Sequence, residues 1–394
     1  MEPFVFGYLS SIEILDSLGA TAEKTVAPQG KQPEVLDGMR VWSDLVAPHH
    51  VRDDSLPAPI PLLPLPAHAI VKPGVKTRPT ASIVPHAWTC FNPIDDLIRL
   101  PGDERVSYVC PVELALVQLA STANRATIVD LANQVTGTYR VIRPAAIATY
   151  QRIPGAHVDL YPQGSTPQTC EAATAYDVPP LTTVDRIRSF TSAFPGARGV
   201  RQLRRALPLL CDGLASPLEE RVFVLGFCSR RMGSFDLPKP LVNVPLEPWG
   251  DARRFIGGRR IVPDFYWKEK GLVLEVLGQR YHGRPGDIVE TSLREKAYRE
   301  MGIVCLTLTD VEVRDVVKFE AAMRELARLL EVRLPKETPT FLKQKDRLRS
   351  GILGGLCQAN SGHAPGNIPS PQMDEEYINQ LYAYVDADMG ARSA

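Results

Sequence analysis

Two carboxylates, Asp264 and Glu275, lie inside the segment Ile261-Val-Pro-Asp-Phe-Tyr-Trp-Lys-Glu-Lys-Gly-Leu-Val-Leu-Glu-Val-Leu-Gly278, which otherwise reads as an apolar β-hairpin. The polar turn Lys268-Glu-Lys-Gly271 separates two β-rich runs, so the register pairs Trp267 with Leu272 and, further outward, Asp264 with Glu275. Direct cross-strand neighbours stand about 5 Å apart, and two carboxylates at that spacing repel unless a proton or cation lies between them. A hard divalent cation, Mg2+ or Mn2+, meets that need through oxygen ligands and can activate water for hydrolysis. The residues also admit a plainer reading, in which Asp264 follows Pro263 in a turn and Glu275 points to solvent.

The flanking pattern supplies elements to position such a pair. Ser216-Pro-Leu-Glu219 opens an apolar helix, 241–246 reads as a strand, and the hairpin follows. Helical periodicity returns over 287–301 and stops at Gly302, a strand covers 303–309, and an amphipathic helix covers 316–330. The predicted order is α-β-β-β-α-β-α.

That order, with acids on the first helix and on both hairpin strands, resembles the PD-(D/E)xK nuclease superfamily, in its very-short-patch-repair-like branch. Domains of this kind often follow an AbiEi-type antitoxin or regulator region in bacterial proteins. The likeness runs through Gly199-Val-Arg-Gln-Leu-Arg-Arg-Ala206, Ser216-Pro-Leu-Glu-Glu-Arg221, Pro263-Asp264, Glu275, Tyr281-His282-Gly283, Arg294 and Met301-Gly302-Ile303, over about residues 180–332. A fainter likeness in Cys110-Pro-Val-Glu-Leu-Ala-Leu-Val-Gln-Leu-Ala120 extends it upstream. The resemblance implies a C-terminal α/β restriction-endonuclease-like fold and a metal-dependent endodeoxyribonuclease activity. It places Mg2+ or Mn2+ on Asp264 and Glu275, adds Glu219 and His282 to the catalytic set, which Gln279 joins as a candidate from the residues themselves, and implies DNA and a cognate toxin as partners. The chain departs from the pattern at Leu277, where the superfamily carries Lys and these relatives often Asp, and at Thr291, where the relatives carry an acid. Leucine neither binds metal nor positions water, so the resemblance also implies an alternative: a non-catalytic DNA-binding antitoxin or transcriptional regulator that retained the nuclease fold.

Several of these residues carry a second reading. Glu219, three residues after Ser216 with Pro217 between, also fits a capping box with proline at the first helical position. His282 also reads as an exposed loop residue, while Gln279, Lys268 and Lys270 are candidates to replace the polar group missing at Leu277. Arg294 and Lys296 fit phosphate contacts or the wet face of their helix. Between Asp185 and Arg205, six arginines meet one acid, and within that run Arg201, Arg204 and Arg205 are candidates for nucleic-acid backbone contacts. His86 and Trp88 beside Arg78 form a further constellation, for which a packed histidine and tryptophan is the simpler account.

Composition excludes other classes. A formal net charge of +0 and 44% hydrophobic residues describe a chain that buries real cores and is no polycation. Its 394 residues suit two or three domains, without an apolar run long enough to span a bilayer or a leader-like start, so a cytoplasmic location is expected. Seven cysteines without a Cys-x-x-Cys pair read as reduced thiols, and Walker, dinucleotide and Gly-x-Ser-x-Gly signatures are missing. The expected organisation is an α+β region over 1–100, a helical and β region over 101–180, the nuclease-like domain over 181–334, and a mostly disordered tail over 335–394. In the first two regions, helix is expected at 10–18, 110–120 and 126–135, strand at 67–71, 81–84 and 105–109, and a polyproline spacer at 57–66.

Overall fold

The computed structural model describes residues 4–7, 10–16, 35–36, 67–71, 83–88, 97–99, 107–142, 146–161, 166, 172–278 and 285–353. It is a mixed α and β chain that divides into two compact units between Leu210 and Cys211.

In the N-terminal unit, strands β1 (Phe4–Phe6), β2 (Val35–Leu36), β3 (Ala67–Val71), β4 (Ile83–Ala87), β5 (Leu97–Arg99) and β6 (Ser107–Val109) form a sheet in the order β2-β5-β6-β1-β3-β4. β1 runs parallel to β6 and antiparallel to β3, so this sheet crosses the expected boundary at residue 100. Helix α1 (10–16) follows β1, and α2 (Val112–Ala120) and α3 (Arg125–Thr136) follow β6. Apolar residues fill α2 throughout, and every one of its residues is buried, Glu113 and Gln118 included. A second sheet, β7 (Tyr139–Ile142), β8 (His157–Tyr161) and β9 (Ala172–Tyr176) in the order β7-β9-β8, packs Ala173 and Ala175 against Ile147 and Tyr150 of α4 (Ile147–Tyr150). Buried Arg140 of β7 donates to Asp16 of α1 at 3.0 Å, and Tyr150 donates to the same carboxylate oxygen at 2.6 Å.

Helices α5 (Val184–Ala193) and α6 (Val200–Ala206) bury Ile187, Val200, Leu203 and Ala206 and pack on α2 and α3. The expected C-terminal domain began at 181, but apolar contact holds 184–206 in the N-terminal unit. His86 and Trp88 are buried, with His86 Nε2 2.8 Å from His68 Nδ1, while Arg78 and the polyproline stretch lie outside the described residues.

The C-terminal unit contains α7 (Pro217–Gly226), β10 (Leu241–Val242), α8 (Ala252–Phe255), β11 (Phe265–Trp267), β12 (Leu272–Leu277), α9 (Pro285–Glu300), β13 (Val304–Thr309), α10 (Asp310–Arg314), α11 (Val316–Leu329) and α12 (Pro339–Ile352). Its sheet runs β10-β11-β12-β13, with β12 and β13 parallel and the other pairs antiparallel. Alternation sends Tyr266 and Val273 to one face, where Ala297 and Tyr298 of α9 and Met301 just past its end cover them. Phe265 and Trp267 take the other face, each meeting the ring of Phe227 edge-on. The strand expected over 241–246 is confined to Leu241–Val242, and a single Leu246 to Ile261 bridge continues the pairing.

Helix α12 corrects the expectation for the start of the tail. Thr338 caps it, Pro339 stands in its first turn, and Phe341, Leu348 and Ile352 are buried. Lys345 pairs with Glu320 and, at 2.9 Å, with Glu337, while Arg349 donates to the carbonyls of Val313 and Arg314. Residues 354–394 lie outside the described residues.

The approach of α12 depends on Gly233, whose φ is +99° and whose substituted Cβ would stand 2.4 Å from the carbonyl oxygen of Gln344. We predict that Gly233→Ala destabilises the C-terminal unit by about 1–3 kcal/mol, combining left-handed strain with a backbone clash. Urea denaturation checks this, and an unchanged midpoint would show that α12 can shift without cost.

Candidate functional site

The hairpin has the expected register: Trp267 opposes Leu272, Tyr266 opposes Val273 and Phe265 opposes Leu274, so Asp264 and Glu275 occupy the next position outward. β11 begins just after Asp264 because Pro263 lacks the N–H a ladder requires. Asp264 closes the ladder with its side chain instead, its Oδ2 accepting from the Val276 N–H at 2.6 Å. Its main-chain carbonyl accepts from the Asn243 N–H at 3.1 Å.

Glu275, 8% exposed, points toward α9. Arg294 and Tyr298, one helical turn apart, both donate to Glu275 Oε1, at 2.6 Å and 2.5 Å. The Arg294 guanidinium also donates to the Val262 carbonyl at 2.8 Å, a main-chain group left beside the proline. The structure therefore gives Arg294 a carboxylate partner, beside the phosphate role its sequence suggested. Burial, then Glu275, pushes the Tyr298 phenol up, which keeps it a neutral donor.

Glu219 comes from the start of α7, where Ser216 Oγ accepts from the Glu219 N–H at 3.1 Å. Its own Oε2 accepts from the Ala215 N–H at 2.9 Å, one residue upstream of a standard capping box, and from Asn243 Nδ2 at 2.7 Å. Asn243 adopts a positive φ of 50° and also donates to the Gly213 carbonyl, so one residue ties the helix start to Asp264 at the entry to β11.

The three acids share an electrostatic environment. Burial raises the Asp264 pKa well above the ordinary 3.8, Glu219 and Glu275 add to the rise, and the Val276 N–H opposes it. Burial likewise raises Glu219, with a smaller contribution from Glu275 and opposition from its hydrogen-bond donors. Asp264 Oδ1 and Glu275 Oε2 accept no hydrogen bond from the described residues. No group of three or more His, Cys, Asp or Glu side chains among the described residues forms a ready metal cage, so the pair offers two unanchored carboxyl oxygens and not a full coordination sphere.

Leu277 shares the Glu275 face and is half-buried. Gln279 and His282 lie outside the described residues. Lys268 and Lys296 are exposed, and Lys270 pairs with Glu331. Arg201, Arg204 and Arg205 are exposed on α6 of the N-terminal unit, where Arg204 also donates to the Thr191 carbonyl at 2.5 Å. Asn243 and Tyr298 are the participants that sequence reasoning missed. Tyr298 carried a usable signal in its spacing of four from Arg294; Asn243 carried none, because its role arises from backbone conformation.

Searches against protein-family models, curated proteins and solved structures return no match for this chain. No helix among the described residues is long and apolar enough to cross a membrane.

A carboxyl whose folded pKa exceeds its unfolded value binds more protons when folded, so its stabilising contribution is full below the unfolded value and lost as pH rises through the folded pKa. With Asp264 and Glu219 both raised, we predict that the C-terminal unit loses stability as pH rises above the ordinary carboxylate range. Asp264→Asn keeps an acceptor for Val276, removes one of the mutually repelling charges, and should raise the neutral-pH melting temperature while flattening the pH dependence. Parallel thermal melts of both proteins across that rise in pH check this; identical pH slopes would reject the coupling.

Proposed function

We propose that the C-terminal unit is a metal-dependent phosphodiesterase acting on DNA, with Asp264 and Glu275 as the metal-binding pair. One observation carries the reading: two acids of an otherwise apolar hairpin each have one oxygen anchored and the other without a hydrogen bond among the described residues. Those oxygens suit Mg2+ or Mn2+, which when bound supplies charge that acidifies a coordinated water and offsets charge on phosphate. Arg294 and Tyr298 hold Glu275 in one orientation through Oε1. Glu219, with a raised pKa, is suited to orient or deprotonate the attacking water. The restriction-endonuclease-like topology, the DNA substrate and a cytoplasmic setting belong to this same proposal.

A second reading is a non-catalytic DNA-binding regulator, with a cognate toxin as its protein partner. Half-buried Leu277 on the Glu275 face and the Arg294 cation already paired with Glu275 favour it.

Calorimetric Mg2+ and Mn2+ titration, together with cleavage of single-stranded, duplex and mismatched DNA, decides between them. We expect Asp264→Ala to abolish metal binding and cleavage, Glu219→Gln to slow cleavage about 10- to 100-fold as an outer partner, and Leu277→Lys to increase it. Absence of both metal binding and cleavage in every folded variant would leave the regulator. Replacing Arg201, Arg204 and Arg205 together with Ala should weaken DNA binding and flatten its salt dependence. An unchanged salt slope would assign those arginines to solvation.

A further inference from the structure

Between β10 and β11 the chain makes an excursion whose base is closed by Leu246 and Ile261, each donating its N–H to the other's carbonyl, at 2.7 Å and 3.0 Å. Everything from Glu247 to Arg260 stands beyond that closure and carries Trp249, Arg253, Arg254, Arg259 and Arg260. Trp249 is 47% exposed, and its indole has no hydrogen bond or ring contact among the described residues. Arg253 braces the segment before it, its Nε donating to the Pro248 carbonyl at 2.9 Å. The side chains of Arg254, Arg259 and Arg260 are 82%, 70% and 67% exposed. Their acidic neighbours are exposed too: Asp251 at 3.4 Å from Arg254, Glu290 at 3.8 Å from Arg259, and Glu247 beside Arg260. Surface pairs of this kind are weak and screened by salt, so a phosphate displaces the carboxylate at little cost.

An exposed aromatic face and exposed guanidinium groups on one excursion of the chain match the chemistry of an unpaired nucleic-acid strand, whose bases stack on the ring while its phosphates meet arginine. A closed duplex hides its base faces and leaves the indole without a partner. The chain returns from this excursion directly into the acid cluster, because Asp264 follows Ile261 by three residues, about 10 Å of extended backbone at about 3.3 Å per residue.

We infer that the 247–260 excursion is a docking surface for single-stranded nucleic acid, with Trp249 as the base-stacking platform and Arg254, Arg259 and Arg260 as phosphate contacts. It rests on the phosphodiesterase reading only in assigning that strand to the carboxylates as substrate; the binding surface stands by itself.

Fluorescence anisotropy with the full chain in EDTA separates the two ideas, because it reads binding without hydrolysis. The probes are labelled oligodeoxythymidylate, oligouridylate of equal length, and a blunt duplex. Wild type should bind a single strand more tightly than the duplex. Trp249→Ala should weaken single-strand binding about ten-fold, with duplex binding little changed, and Trp249→Phe should restore most of the loss. The triple variant Arg254→Ala, Arg259→Ala, Arg260→Ala should weaken all probes and lower the salt slope. All of these side chains are exposed, so the variants retain the fold, which circular dichroism checks. Preference for oligouridylate would support the surface and assign the strand to RNA. Failure of wild type to bind any probe, or single-strand affinity unaffected by Trp249→Ala, overturns the proposal and leaves the excursion to a protein partner. Binding with this mutational pattern but without hydrolysis in either Mg2+ or Mn2+ upholds the surface and rejects the phosphodiesterase reading.

Discussion

The burial of neighbouring carboxylates, with their mutual repulsion added to it, is the constraint around which the acid site of the C-terminal unit is organised. Glu219, Asp264 and Glu275 reach one region from a helix start, a strand edge and a strand interior, and burial disfavours the charge on Asp264 and Glu219. Each acid is held by a different device. Main-chain N–H donors and an amide hold Glu219, the Val276 N–H holds Asp264, and a guanidinium with a phenol holds Glu275. Removing a donor would leave a buried carboxylate oxygen with less hydrogen-bond compensation, which accounts for the polar groups that converge where the rest of the hairpin is apolar.

Pro263 is the backbone counterpart of that constraint. By ending the ladder it leaves the Val262 carbonyl for Arg294 and lets the Asp264 side chain take over the Val276 N–H. Asn243, in a left-handed conformation opposite, then couples the Glu219 carboxylate to the Asp264 main chain. A site built this way is rigid on its anchored oxygens, and its two unanchored oxygens set where a cation or a proton is most favourable.

The arginines fall into distinct physical groups that a charge count merges. Arg140 and Arg349 spend their donors inside the fold on carbonyls and, for Arg140, on Asp16. Arg294 neutralises a buried acid. Arg254, Arg259 and Arg260 stay at the surface in weak pairs, on the same excursion of the chain as the exposed Trp249. Function assigned by charge alone would treat these alike, whereas their burial separates structural cations from those able to meet an external anion.

The hairpin and its register were legible in the sequence, because a polar turn between alternating apolar runs allows one pairing that keeps the apolar faces buried. The helices at 217, 285, 316 and 112 and the strands at 67 and 304 were legible within a few residues, from caps, periodicity and breakers. The helix over 339–352 was not anticipated, since its polar composition masks anchors that count only once Glu320, Glu337 and the carbonyls of Val313 and Arg314 stand opposite. Helices 184–206 read as part of the following domain because amphipathicity reveals a buried face and not what buries it. Asp264 and Glu275 could be paired from the chain alone, as cross-strand neighbours follow from local geometry. Only the tertiary structure decided that Arg294 and Tyr298 would share one oxygen of Glu275 and that Asn243 would bridge Glu219 to Asp264, because long-range hydrogen bonds depend on where separate elements pack.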